Sequence, residues 1–100
     1  MTSIIAQIPV DQIIYLEGNR NYTNICLKNG RKLLSSKNLK RFEELFDNGH
    51  FLRVNRSYLV NFAHIQSFER EIMLSNGKII VPARRKWVAM RILLEKTLMK

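Results

Sequence analysis

Apolar positions along this chain come in short clusters, and each cluster is closed by residues that favour turns. "QIIYLEG" at 12–18 and "YTNICL" at 22–27 read as strands flanking a loop, "EGNRNY". Asn29-Gly30 separates "NICLK" from "RKLL", and Asn76-Gly77 separates "EIMLS" from "KIIV". An Asn-Gly pair supplies the positive φ angles of a type I′ turn, so both breaks predict two-residue hairpins. "NLKRFEELFDNG" has a different period. Leu39, Phe42, Leu45 and Phe46 recur at helical spacing and predict the buried face of a helix over about 39–48, with Asn38 as N-cap and Gly49 as its left-handed stop. "ARRKWVAMRILLEKTLMK" predicts a second helix over about 84–98, with Pro82 before it. Its stripe is Trp87, Met90, Leu94 and Leu98, with Val88 beside it. "FLRVN" and "HIQSFER" read as further strands. The expected fold is mostly β, its short antiparallel strands interrupted by one helix and closed by another.

The stretch "FLRVNRSYLVN" at 51–61 departs from this pattern. It alternates like a half-buried strand only as far as Val54, then places Asn55, Arg56 and Ser57 before apolar residues resume. The reading is a strand in which Phe51 and Val54 bury one face and Arg53 points to the other. A presented turn of Asn55, Arg56 and Ser57 follows, and Tyr58, Leu59 and Val60 return to the core. On this reading the two arginines are not equivalent: Arg56 is offered outward and Arg53 is a support.

One hundred residues suit one domain, and the 46% apolar fraction suits a globular core. The first ten residues show no signal peptide, and no apolar run approaches a membrane span. The single cysteine, Cys26, lies in the apolar run "NICL" and reads as a core thiol; a reducing, cytoplasmic location fits it. Net charge is +9, divided unevenly: residues 1–50 hold seven Lys/Arg against five Asp/Glu, and residues 51–100 hold ten against three. A stable core with cations concentrated in one half suggests an anionic partner.

Catalytic and metal chemistry find little support. His50 and His64 stand apart from any Cys or second His at ligand spacing and read as surface or edge residues. Glu43 and Glu44 are adjacent on a helix and do not face each other. The expectation is a protein that is not an enzyme and uses no cofactor or metal.

Four polar segments carry the chemistry that is present: "GNRNYT" with Arg20, Asn21 and Tyr22, "SSKN" at 35–38, "RVNRS" at 53–57, and "ARRK" at 83–86. An Arg fork can bind guanine O6 and N7, and an Asn amide can bind adenine N6 and N7. Lys and Ser beside the free N–H groups of a helix start suit phosphate oxygens. Arg84, Arg85 and Lys86 in the first turn of a helix oppose its dipole, a penalty that a bound phosphate would reverse. A membrane-surface role fits less well, because the cations of the second helix gather at one end. An RNA reader would stack bases on exposed aromatics, and only Tyr22 is placed for that. A protein-interaction module whose basic loops dock an acidic partner stays open as the alternative.

Four blocks together, "QIIYLEGNRNYTNICLKNG", "NLKRFEELF", "FLRVNRSYLVNFAHI" and "GKIIVPARR", resemble the LytTR DNA-binding domain of bacterial transcriptional regulators, over about residues 10–95. The resemblance implies short antiparallel strands in several small packed sheets, and a transcription regulator of the response-regulator or two-component type. It implies sequence-specific binding of double-stranded DNA through loops in successive major grooves, usually as pairs on repeated sites. A homodimer on DNA and an upstream receiver or sensor partner belong to the same expectation; the chain itself reads as a single domain over 1–100 without a receiver domain. Carried onto this chain, base contacts fall near Asn21, with Arg20 and Tyr22 beside it, and at Arg56 and Arg84. Phosphate contacts fall at Ser36, Asn38, Ser57 and Lys86. The residue chemistry adds Asn55 to the base readers and Lys37 and Arg85 to the phosphate set. Two positions depart from the family pattern: Asn55 stands where His is usual, and Pro82 comes one residue late.

Overall fold

The computed structural model describes residues 8–46 and 49–98. Eight strands form two antiparallel sheets, with two α-helices packed on them. β1 (Ile13–Asn19), β2 (Tyr22–Leu27), β3 (Lys32–Ser35), β4 (Phe51–Arg53) and β5 (Tyr58–Asn61) make a five-stranded sheet in the order β3-β2-β1-β5-β4. β6 (Ile65–Phe68), β7 (Ile72–Leu74) and β8 (Ile79–Ile80) make a three-stranded meander. Helix α1 (Leu39–Leu45) joins β3 to β4, and α2 (Trp87–Leu98) ends the described chain.

The five-stranded sheet is covered on both faces, and its side chains divide by strand parity. Ile25 and Leu59 join Leu39 and Phe42 of α1 in one buried cluster. Their neighbours Cys26 and Val60 join Ile72, Leu74, Ile80, Met90 and Leu94 in the other, beneath the small sheet and α2. β1 contributes Ile13 and Leu16 to the first cluster and Ile14 and Tyr15 to the second. Two successive residues share a face there because the register slips between Ile13 and Tyr15, as a β-bulge requires.

The same parity corrects the expectation for 51–54. Phe51 packs with the α1 cluster, and Val54 lies fully buried in the other. A three-residue separation puts them on opposite faces, so Phe51 shares its side with Arg53, which reaches Glu43 of α1. The predicted helices are also shortened. α1 ends at Leu45 with Phe46 as its C-cap; Asp47 and Asn48 lie outside the described residues, and Gly49 has φ +86°. Leu45 is 51% exposed, because Leu39, Phe42 and Phe46 already fill the face towards the sheet. In α2 only Met90 and Leu94 are buried; Val88 is 71% exposed and Leu98 is exposed. His64, assigned to a strand by the pattern, sits in a 3₁₀ turn over Phe62–His64, and β6 ends at Phe68.

The Asn-Gly pairs do make hairpins, but not two-residue ones. Gly30 N donates to Leu27 O (3.1 Å) and Leu27 N to Arg31 O (2.9 Å); Gly77 and Leu74 repeat the pattern with Leu74 N donating to Lys78 O. Only the glycines have positive φ, near +85° and +88°. Each loop is therefore three residues long, a turn closed by a left-handed glycine. Asn29 and Asn76 serve it with their side chains, each accepting from the backbone N–H two residues on.

Candidate nucleic-acid interface

The tight two-residue hairpin occurs where no glycine marks it. Asn19 pairs directly with Tyr22, so Arg20 and Asn21 are the whole turn between β1 and β2. Arg20 is held at φ +57°, a conformation that disfavours a side chain bearing Cβ. Arg20, Asn21 and Tyr22 are all exposed at its tip.

The turn between β4 and β5 is built by the two residues that interrupt the core pattern. Arg53 Nε donates to Asn55 O at 2.7 Å and Arg53 Nη2 to Arg56 O at 2.8 Å. Arg53 Nη1 is paired with Glu43 Oε1 at 2.8 Å, which orients the guanidinium from the helix side. Asn55 Oδ1 accepts from Ser57 N (2.8 Å) and Tyr58 N (3.0 Å), and its Nδ2 donates to Val81 O at 2.8 Å. The Asn55 side chain is thus engaged by three hydrogen bonds within its own protein while the residue stays partly exposed. Ser57 is half-buried, and Arg56 projects exposed from the clamped turn.

Backbone contacts bring three of the four polar segments side by side. Ser57 O accepts from Gly18 N (2.8 Å), joining this turn to the β1–β2 hairpin. Val54 O accepts from Ala83 N (3.0 Å), joining it to the segment carrying Arg84, Arg85 and Lys86. These three exposed cations occupy a 3₁₀ turn before α2, not the first turn of the helix itself. With Pro82 buried and Val81 O held by Asn55, the approach to Arg84 is fixed on both sides.

The fourth segment is tied to the β1–β2 hairpin. Thr23, fully buried, donates from Oγ1 to Lys37 O at 2.8 Å. Gly18, opposite Thr23 in the ladder, leaves room for Leu39: a Cβ on it would lie 2.9 Å from Leu39 Cβ. Asn38 caps α1 by accepting from Arg41 N at 2.9 Å, and Ser35 Oγ accepts from Lys37 N. Ser36, Lys37 and Asn38 line an open surface hollow with Lys40, Arg41 and Glu44. Lys40 and Arg41 were absent from the sequence expectation, as were Thr23 and Gly18; the only sequence signal was a Thr and a Gly inside strands.

Ion pairing separates two kinds of arginine. Arg41, Arg53 and Arg91 pair with Glu44, Glu43 and Glu95. Among the described residues, Arg20, Arg56, Arg84, Arg85, Lys37 and Lys86 pair with no carboxylate. An exposed cation without an anionic partner is available to one in solution.

Three titratable groups below the turns are shifted by burial. Burial pushes the Tyr15 hydroxyl and the Cys26 thiol up from their ordinary values. Burial also raises Tyr58, helped by its hydrogen bond to Glu17 Oε2 at 2.9 Å. His64 bridges Ser75 Oγ and Asp11 O as a structural link. No group of three or more His, Cys, Asp or Glu able to hold a metal is present among the described residues, and no helix there is long and apolar enough to cross a membrane.

The sequence model of the LytTr DNA-binding domain matches residues 3–95, nearly the whole chain. The protein belongs to the LytTr DNA-binding domain family. Its fold is similar to a solved structure, the LytTr DNA-binding domain of a response regulator from Bacillus cereus, with TM-score 0.78 and 24% identity over 87% of this chain and 84% of that one. None of the curated proteins compared with it matches.

Proposed function

We propose that the row of turns binds double-stranded DNA in a sequence-specific manner, as part of a transcriptional regulator. Arg56 and Arg84 read base edges in successive major grooves, with Arg20 or Asn21 as the third reader and Tyr22 beside them. Lys37, Arg85 and Lys86 neutralise phosphates, and Ser36, Ser57 and the free amide nitrogen of Asn38 donate to phosphate oxygens. Asn55 is a positioning residue, since its three hydrogen bonds hold the turn that carries Arg56.

The observation that carries this reading is a run of cross-links between the four segments: Thr23 bonds Lys37 O, Gly18 beside Thr23 in the ladder bonds Ser57 O, and Val54 in the same turn as Ser57 accepts from Ala83 N. It fixes unpaired cations from four separate segments in one relative geometry. Rigid spacing is what base readout requires and what a merely solubilising charge does not.

Selection of bound duplexes from a random pool, repeated at two salt concentrations, is the test. A shared motif is expected. Arg56→Ala should then weaken the selected duplex by about 1–3 kcal/mol and relax one position of the motif. Lys86→Ala should weaken selected and random duplexes alike and shallow the salt slope by about one unit. Salt-sensitive binding without a motif would sink the sequence-specific reading.

A further inference from the structure

The acidic residues of the basic half of the chain converge on one place. Residues 51–100 hold three carboxylates against ten Lys/Arg, and all three, Glu69, Glu71 and Glu95, line a single trough between the small sheet and α2. Glu95 is paired with Arg91. Glu69 and Glu71 lie in the turn between β6 and β7 and enter no ion pair and no hydrogen bond among the described residues, in a protein of net charge +9.

The surface beside these carboxylates is apolar. Strand alternation turns Ile72 and Leu74 into the core and Met73 outward. Ile79 stands opposite Met73 on one side and Ser67 on the other, so the three form a row across the outer face of the small sheet. Met73 and Ile79 are 39% and 49% exposed, so this face lies open. Trp87, Arg91 and Glu95 follow one another at four-residue spacing on α2, within about 80° around its axis, and form the facing wall of the trough.

We infer that this trough seats a basic amphipathic helix of another protein. Size sets the class of occupant. The trough is open and measures about 1340 Å³, more than the roughly 300–1,000 Å³ of a small-molecule pocket. Three strands about 4.8 Å apart make a floor about 10 Å wide, which is the diameter of one α-helix. Charge sets the sign of the occupant. Three carboxylates against Arg70 and Arg91 leave the trough one net negative charge. At 0.15 M salt charges more than about 8 Å away are screened, so the local carboxylates outweigh the distant cations of the domain. The same carboxylates repel nucleic acid and anionic lipid. A helix that lays an apolar stripe on Met73, Ile79 and Trp87, and sets Lys or Arg beside Glu69 and Glu71, satisfies both features. Trp, Met and Arg are also residue types enriched where proteins meet. The proposal does not rest on DNA binding, and its test contains no DNA.

Trp87 is the single tryptophan of the chain, so its fluorescence reports on the trough directly. The full chain is titrated at about 0.15 M salt with a tryptophan-free helical peptide of about 14 residues, a leucine stripe flanked by lysines. A second peptide carries glutamate at every lysine. The lysine peptide should change Trp87 emission with half-saturation on the order of 100 μM, and the glutamate peptide should bind at least about 10-fold more weakly. Glu69→Lys combined with Glu71→Lys should invert that preference. Met73→Ser should weaken both peptides about 5-fold with an unchanged thermal midpoint. Equal binding of the two peptides, tighter binding of the glutamate peptide, or a preference that the double substitution leaves in place would overturn the proposal. A stronger response of Trp87 to anionic lipid vesicles than to the lysine peptide would overturn it in favour of a membrane. Trp87 emission that changes with protein concentration alone would overturn it in favour of a second copy.

Discussion

Replacing Arg53 by alanine separates what the two arginines of the 53–57 segment do. Arg53 is partly buried, with its side chain 20% exposed, and makes two hydrogen bonds to backbone carbonyls besides its ion pair with Glu43. A hydrogen bond from a charged donor contributes about 1.5–3 kcal/mol when buried. The bond to Arg56 O lies nearer water and counts for less, and the pair with half-exposed Glu43 contributes about 0–1 kcal/mol. Loss of the side chain should therefore cost about 3 kcal/mol. For a domain of this size that lowers the thermal midpoint by roughly 12–24 °C. Arg56→Ala removes an exposed side chain with no partner among the described residues and should shift stability by less than about 0.5 kcal/mol. Urea unfolding measures the first quantity, and fluorescence anisotropy on a selected duplex measures binding. Arg53→Ala should lose stability, and it should lose affinity because the turn carrying Arg56 is no longer clamped. Arg53→Lys should rescue little, since one ammonium cannot hold two carbonyls and a carboxylate in a fixed fork. Unchanged stability in Arg53→Ala, or a strongly destabilised Arg56→Ala, would refute this division of labour.

Two further outcomes follow from the packing. Gly18→Ala should destabilise the fold by about 1–3 kcal/mol in urea unfolding, because its Cβ would meet Leu39 Cβ at 2.9 Å and push the start of α1 outward; salt-dependent DNA affinity should fall with it, since Ser36, Lys37 and Asn38 move with that helix. Tyr15, Tyr58 and Cys26 all have raised pKa values in the fold, so the unfolded chain releases their protons first as pH rises. The stability they contribute is fully present below their ordinary values of 9.0 to 10.0 and is lost above them. A thermal midpoint that holds level to pH 8.5 and then falls is the expected profile, and a midpoint that rises between pH 9 and 11 would contradict it.

The sequence showed most plainly those features whose cause is local. Strand clusters, the helix capped by Asn38 and the exposed basic segments each follow from residues a few positions apart. What the pattern missed came from partners distant in the chain. Leu45 fits helical periodicity but lies outside, because Leu39, Phe42 and Phe46 already fill the face towards the sheet. Asn29 and Asn76 carry the strongest local signal for a two-residue turn, yet the strand register gives their loops a third residue. Asn55 had the chemistry of a base reader, and only the approach of Val81, 26 residues away, shows that its amide is occupied. Thr23 and Gly18 carried no signal of function at all, although they join residues 36–38 and the start of α1 to the β1–β2 hairpin.

The two-sided core explains why these turns can be functional. A sheet buried on one face only would leave its hairpin tips free to flex. Here the adjacent residues Leu59 and Val60 enter different clusters, and so do Ile25 and Cys26, so β5 and β2 are gripped by α1 on one side and by the small sheet with α2 on the other. The strain of Arg20 at positive φ is tolerable only on such a support. Arg53 carries the same logic into the turn itself. It shares its side of the sheet with Phe51, it is aimed by Glu43 of α1, and it closes on the carbonyl of Arg56. One arginine is thus spent inside the protein so that another, three residues on, is held still outside it. That arrangement needs a polar break in a core strand, because an apolar residue at position 53 could fill the space but could not bind two carbonyl oxygens at once.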